Sequence, residues 1–229
     1  MKSVVGKNAY TGTIVSGMEA RVPDAALTRA AVDVVSDEPA PVRQEVRSMR
    51  GLGALDAALL LKVNRLPHTT TSDKYFSLVS DLGRGVGWAA LCGWLAWRGG
   101  RHGRRAGLRS TAAMLVANAI AQGPMKQFFG RKRPFHDVGD HIVVGSRTID
   151  TSFPSGHSAS SFAAATSLAF AFPQYSPVLL AAASGVGVSR VYLGHHYPSD
   201  VAAGVLVGVT VGVAASRWCE RDRSVGCEG

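Results

Sequence analysis

Charge is scarce in this chain. Asp, Glu, Lys and Arg together make up 18% of 229 residues, where about 25% is usual for a soluble domain. The scarcity is uneven, and residues 158–189 contain none of the four. Cysteine is thin as well: Cys92, Cys219 and Cys227 are too few for a disulfide scaffold and stand at no zinc-ligand spacing. The 16 acidic residues form no carboxylate cluster suited to Mg²⁺, so neither a metal nor another cofactor is expected. Residues 1–50 lack a sustained apolar run and therefore lack the core of a secretory signal. What is present is apolar content of 46%, which excludes a disordered chain, and enough length to bury a core. The 25 basic residues give a net charge of +9, which asks for an anionic partner. No groove-reading motif accompanies them, so membrane lipid is expected and nucleic acid is not.

The apolar residues fall in blocks near 52–66, 75–97, 110–125, 155–172, 177–190 and 201–216, with Pro173 and Pro177 splitting the uncharged stretch into two helices. Several blocks are shorter than the ~20 residues of a bilayer span, which makes a soluble helical bundle the rival reading. Against it, the uncharged blocks carry no polar stripe for water. They are rich in small residues suited to close packing in lipid. Trp88, Trp94, Trp97 and Trp218 fall in or beside them, three near block ends. The expectation is an all-α integral membrane bundle of about six helices over residues 51–218. A polar, flexible cytoplasmic tail over 1–50, with one short helix near 25–35, precedes it, and a short tail over 219–229 follows. Self-association is left open. Arg98, Arg101, Arg104 and Arg105 mark one connection as cytoplasmic. With six crossings of the plasma membrane, Arg43, Arg47 and Arg50 and the C-terminal Arg217, Arg221 and Arg223 share that side. The connections near 67–74, 127–154 and 191–199 then face outward.

Three polar patches meet on that outer face. They are Lys126 through Arg133-Pro134 at one helix end, Pro154-Ser155-Gly156-His157 at the next start, and Ser189-Arg190 through His195-His196 to Asp200 between the last two helices. Lys126, Arg131, Lys132 and Arg133 lie there against the positive-inside rule, so they need a local reason. Lys and Arg give charge-assisted bonds to phosphate oxygens. Ser155-Gly156 at a helix start offers free N–H groups and the positive end of the dipole. His157 and His196 allow one nucleophile and one general acid near neutral pH. Asp200, four residues after His196, is placed to accept the imidazole N–H and fix its tautomer.

Lys126-x6-Arg133-Pro134, Pro154-Ser155-Gly156-His157 and Ser189-Arg190-x5-His196-x3-Asp200 resemble, in order and spacing, the three signature motifs of the type 2 phosphatidic acid phosphatase (PAP2) superfamily. The likeness covers roughly residues 52–218. It implies a membrane enzyme that hydrolyses a lipid phosphate, monoester or diphosphate, without metal and through a phosphohistidine. It makes His196 the nucleophile, Asp200 its orienting carboxylate and His157 the general acid. Lys126, Arg133, Ser155, Gly156 and Arg190 become the phosphate-binding set. Phosphatidic acid and polyprenyl phosphate derivatives are among the substrates it suggests. A vanadate-dependent haloperoxidase and a catalytically silent lipid-binding protein are the rival readings. Intact His157, His196 and Asp200 speak against the silent form. Arg131 and Lys132 read as a solvated end or an anionic-lipid contact. Beyond the motif positions, His195 reads as a supporting residue behind the site. Tyr192, Phe128 and Phe129 read as packing or interfacial anchors. His136, Asp137, Asp140, His141 and Asp150 receive no role.

Overall fold

The computed structural model describes residues 24–138, 141–147 and 149–225, and all regular structure among them is helical. Three short helices come first: α1 (Asp24–Val34), α2 (Ala40–Ser48) and α3 (Leu52–Asn64). The bundle follows. The helix α4 (Thr70–Asp81) starts on a capping box between Thr69 and Ser72 and runs through a π turn at Leu82–Val86 into α5 (Gly87–Arg98). The long helix α6 (Gly100–Ile120) passes through a second π turn at Ala121–Met125, which holds Pro124, into α7 (Lys126–Phe129). After α8 (Pro134–Asp137) come α9 (Gly156–Ala171), α10 (Ser176–Tyr192) and α11 (Pro198–Val225), the last two opening with a proline in the first turn.

At the centre is α9, packed by α6, α10 and α11. Ala159, Ala163, Ala164, Ala165 and Leu168 are all buried on it. The contact with α11 depends on Gly204, Gly208 and Gly212, spaced four apart on one helix face. A Cβ at Gly204 would stand 2.5 Å from the Ser155 carbonyl oxygen, and one at Gly208 2.5 Å from that of Ala159. This is the close small-residue packing expected of helices in lipid. Within α11, Pro198–Trp218 is a 21-residue stretch of mean hydropathy 1.6, and it is the one helix among the described residues long and apolar enough by itself to cross a membrane.

The two ends of the bundle differ. At the far end the His102 ring bonds the Ala171 carbonyl at 3.0 Å, which places the Arg-rich stretch 98–105, expected as a loop but forming the end of α5 and the first turns of α6, beside the C-terminus of α9. The opposite end holds the three sequence motifs and the N-terminal helices. Here the structure corrects the expected path of the chain. Asp56 near the start of α3 accepts the Ser199 N–H at 2.9 Å, and Asn64 at its end donates to the Ile142 and Tyr192 carbonyls at 2.7 and 2.8 Å. Both ends of α3 therefore touch one end of the bundle, so the helix lies across it instead of traversing it.

The segment 24–50 is also not a flexible tail. The helix expected near 25–35 is present as α1, and α2 adds a second. Ala31, Val35, Val42 and Val46 are buried against Ala54, Ala57, Leu60 and Leu61 of α3. The polar composition that suggested disorder belongs to the outer faces of two amphipathic helices. Residues 1–23 lie outside the described residues. At the C-terminus, α11 continues past Trp218 to Val225, so the expected short tail is helical for that length, and residues 226–229 lie outside the description.

Candidate active site

At the end crossed by α3, a cavity of about 510 Å³ is lined by Lys126, Arg133, Gly156, His157, Arg190, His195 and His196. Of the residues singled out by their motifs, Ser155 and Asp200 stand directly behind this lining, both fully buried. A larger groove of about 1480 Å³, between Arg50, Gly53, Phe129 and Tyr197, lies on the other side of Arg131 and brings no histidine into reach.

The cations come from three helix ends. Lys126 follows the π turn of Ala121–Met125, and that irregularity turns it into the cavity with Gln122. Arg133 precedes Pro134 in an extended conformation, its Nη1 donating to the His195 carbonyl at 3.0 Å and its Nε to the Asp150 carbonyl at 3.0 Å. Arg190, on the last turn of α10, donates from Nη1 to Ser80 Oγ at 2.7 Å, while its Nε finds no hydrogen-bond partner among the described residues. His157 Nε2 is likewise buried without a partner there. Buried donors of this kind are costly unless satisfied, and an oxyanion is the acceptor that suits a guanidinium beside an imidazole.

An acidic residue with no role in the sequence reading pairs with two of these cations. The Asp150 carboxylate bridges Lys126 Nζ and Arg133 Nη2, the latter at 2.8 Å. It occupies one side of the cation set as a phosphate oxygen pair would. No sequence signal marks it, because residues 138–152 have no periodicity and hold several polar residues of equal claim.

Ser155, expected in the phosphate-binding set, is the N-cap of α9. Its Oγ accepts from the Ser158 N–H and hydroxyl at 3.4 and 3.0 Å, and its own N–H donates to the Asp200 carbonyl at 2.9 Å. The serine thus ties the start of α9 to the start of α11. Gly156 faces the cavity, and a Cβ there would stand 2.8 Å from Gln122 Nε2, so any larger residue would push that side chain aside.

His196 is 2% exposed. Burial first, then Arg190, Arg133 and Lys126, hold its imidazole well below the usual histidine range, so the ring is neutral with a free lone pair. Asp200 Oδ2 stands 3.6 Å from His196 Nδ1, as the four-residue spacing leads one to expect, but beyond hydrogen-bond length. His195 Nε2 bonds the Val144 carbonyl at 2.9 Å, and burial followed by Arg190 lowers its pKa to about 4. Its backbone and ring brace the cavity wall.

Arg131 differs from expectation. It is not a solvated end but a clamp: Nη1 donates to Asp200 Oδ1 at 2.9 Å, Nη2 to Asp56 Oδ2 at 2.6 Å, and the guanidinium lies 4.0 Å above the Tyr197 ring. Against the lowering effect of burial, Asp200 and Asp56 hold its pKa above the usual value. Asp56, Asp81, Arg84 and Gln122 also escaped the sequence reading. The last three sit at or beside the two π turns, and the signal for Arg84 and Gln122 was a polar residue next to Gly inside an apolar run. Tyr192 is a buried packing residue, its hydroxyl bonding the Pro67 carbonyl and Ser72 Oγ, both at 3.0 Å. Among the described residues, no group of three His, Cys, Asp or Glu side chains is arranged to hold a metal ion.

Parts of the sequence and the fold are shared with known proteins. The chain is 38% identical over 98 residues to the lipid A 1-phosphatase of Rhizobium johnstonii, covering 41% of this chain and 40% of that protein. It is 43% identical over 110 residues to the decaprenylphosphoryl-5-phosphoribose phosphatase of Mycobacterium tuberculosis, covering 48% and 59%. It thus spans well under two thirds of the length of the curated relatives it matches. Among solved structures, LpxE of Aquifex aeolicus superposes with a TM-score of 0.58 at 26% identity, over 69% of this chain and 93% of that one. A transmembrane PAP2-type phosphatidylglycerolphosphate phosphatase from Bacillus subtilis shares the fold at a TM-score of 0.58 and 18% identity, over 86% and 96%. The PAP2 superfamily pattern matches residues 107–224, which hold all three motifs, and the chain belongs to that superfamily.

Proposed function

We propose that this protein hydrolyses a lipid phosphate at the cavity, with His196 as nucleophile and without a metal. The observation that carries the reading is the convergence of Lys126, Arg133, Arg190, Gly156, His157 and His196 on one cavity of about 510 Å³. In the first step the His196 Nε2 lone pair attacks phosphorus. The bond from phosphorus to the lipid oxygen breaks, and His157 gives that oxygen its proton. In the second step His157 takes a proton from water, whose oxygen attacks phosphorus. The N–P bond breaks, releasing inorganic phosphate and restoring His196. Lys126, Arg133 and Arg190, with the N-terminus of α9 behind Ser155 and Gly156, neutralise the charge that builds on the phosphoryl oxygens. Asp200 orients the imidazole and balances the charge it gains.

The substrate class is a phosphorylated membrane lipid, with headgroups like the lipid A and decaprenyl-phosphoribose substrates named for the relatives as first candidates. We read the bundle as crossing the membrane several times, and the arginines of residues 98–105 together with Arg217 support a cytoplasmic far end. The cavity then faces the opposite side, together with α1, α2 and α3. Arg43, Arg47 and Arg50 therefore belong to the cavity side and not to the cytoplasm.

The test is release of inorganic phosphate from a panel of lipid phosphates by detergent-solubilised protein in EDTA. Turnover that survives EDTA and disappears in His196→Ala and His157→Ala supports the proposal. Full activity in both variants, or no turnover of any lipid phosphate by the unmodified protein, overturns it.

A further inference from the structure

The carboxylate behind the nucleophile is itself held from behind. Asp200 is fully buried, and each of its oxygens has a partner. Oδ2 accepts the Tyr197 N–H at 2.9 Å and faces His196 Nδ1, while Oδ1 accepts from Arg131 Nη1 at 2.9 Å. Arg131 is held in turn by Asp56, and Asp56 accepts from both the N–H and the hydroxyl of Ser199, the residue preceding Asp200. One guanidinium thus serves two carboxylates, and the cluster carries a net charge of −1.

That surplus has a use. As His196 Nε2 forms its bond to phosphorus, the imidazole becomes positive, and the cluster sits on its Nδ1 side. Asp200 paired with Arg131 alone would be electrically neutral and would stabilise the new charge less. Asp56 restores the negative balance, and the rigid fork of Arg131 sets the plane of the Asp200 carboxylate. Asp56 lies on α3, outside residues 107–224 that match the family pattern. The helix laid across the bundle end is therefore part of the nucleophile's support.

Resting on the hydrolysis proposed above, we infer that Arg131 and Asp56 are positioning residues that act on His196 through Asp200. A purely structural latch, fastening α3 to α11, is the competing role for the same contacts, and kinetics separate the two. The experiment uses the full chain in detergent, as Asp56→Asn and as Arg131→Lys, with steady-state turnover, single-turnover phosphoenzyme formation, orthovanadate inhibition and thermal melting. Loss of the Asp56 charge, or of the fork that sets the Asp200 plane, is expected to lower kcat and the phosphoenzyme formation rate about 10- to 100-fold. KM and the vanadate inhibition constant should stay within about twofold, because the ground-state phosphate contacts are untouched. Arg131→Lys retains the charge without the fork and decides the matter should Asp56→Asn not fold. An unchanged kcat in a folded variant overturns the inference. So does parallel loss of kcat, vanadate binding and thermal stability, or failure of both variants to fold, since each assigns the network to stability alone. Protein without these substitutions that is inert on every lipid phosphate overturns the hydrolysis reading itself, and this one with it.

Discussion

The interior of the bundle and its cavity end are held together by opposite means. Between α9 and α11 the chain uses absence: no charge from 158 to 189 and glycines at 204, 208 and 212, so that two backbones approach until a Cβ would collide. At the cavity end it uses surplus, with Lys126, Arg131, Arg133 and Arg190 set among Asp56, Asp150 and Asp200. The first region tolerates no added volume and little chemistry is asked of it. The second holds the charges on which the proposed catalytic step would draw, and it is fixed by hydrogen bonds whose partners come from α3, the 126–133 segment, the 150 loop and the start of α11. Stability and turnover should therefore respond to different substitutions.

The largest separation is expected at His196, the proposed nucleophile. His196→Ala should lower kcat by about 10³-fold or more while leaving the melting temperature close to that of the unmodified protein, checked by phosphate release and thermal unfolding on the same sample. A variant that melts early instead would dissolve the distinction between the two regions. Gly208→Leu should do the reverse. Forcing a side chain between α9 and α11 should destabilise by about 1–3 kcal/mol, read as a lowered melting temperature, with residual activity tracking the folded fraction.

Asp150→Asn sharpens the comparison within the cavity end. Its carboxylate occupies Lys126 and Arg133, so an entering phosphate must displace it. The neutral amide competes less well for the two cations, and the orthovanadate inhibition constant should fall several-fold. A weaker vanadate constant would mean that Asp150 organises the cations instead of competing for them. The smallest effect is on stability against pH. His195 and His196 both titrate below the ordinary value of 6.5, His195 at about 4. Their neutral forms are favoured in the fold, so their contribution is fully present above about pH 6.5 and is lost as pH falls toward 4. The melting temperature should drop across that window, and His195→Gln should shrink the drop.

Much of this was legible in the sequence, for identifiable reasons. Charge-free helices with periodic small residues announce a lipid-suited bundle, and alternating helix direction brings Lys126, His157 and His196 to one end whatever the details of packing. Arg190, Gly156 and Arg133 follow from the same rule. The position of α3 was not legible: an apolar block of that length reads as a crossing, and only the contacts of Asp56 and Asn64 show that it lies across the bundle end. The fold of 24–48 was hidden because its amphipathic faces are narrow and bury few residues. Arg131 was misread, and Asp150 passed over, because charge in a connecting segment reads as solvated until its partners, far away in sequence, are known.

The account stands most directly on the covalent step. A purified sample should be mixed with lipid phosphate carrying labelled phosphorus, quenched within the first turnover and mapped by peptide. The account predicts an acid-labile, base-stable phosphate on the peptide containing His196, formed no slower than kcat and missing in His196→Ala. Labelled phosphate released at full rate with no phosphoenzyme, or with the label on another residue, would contradict it.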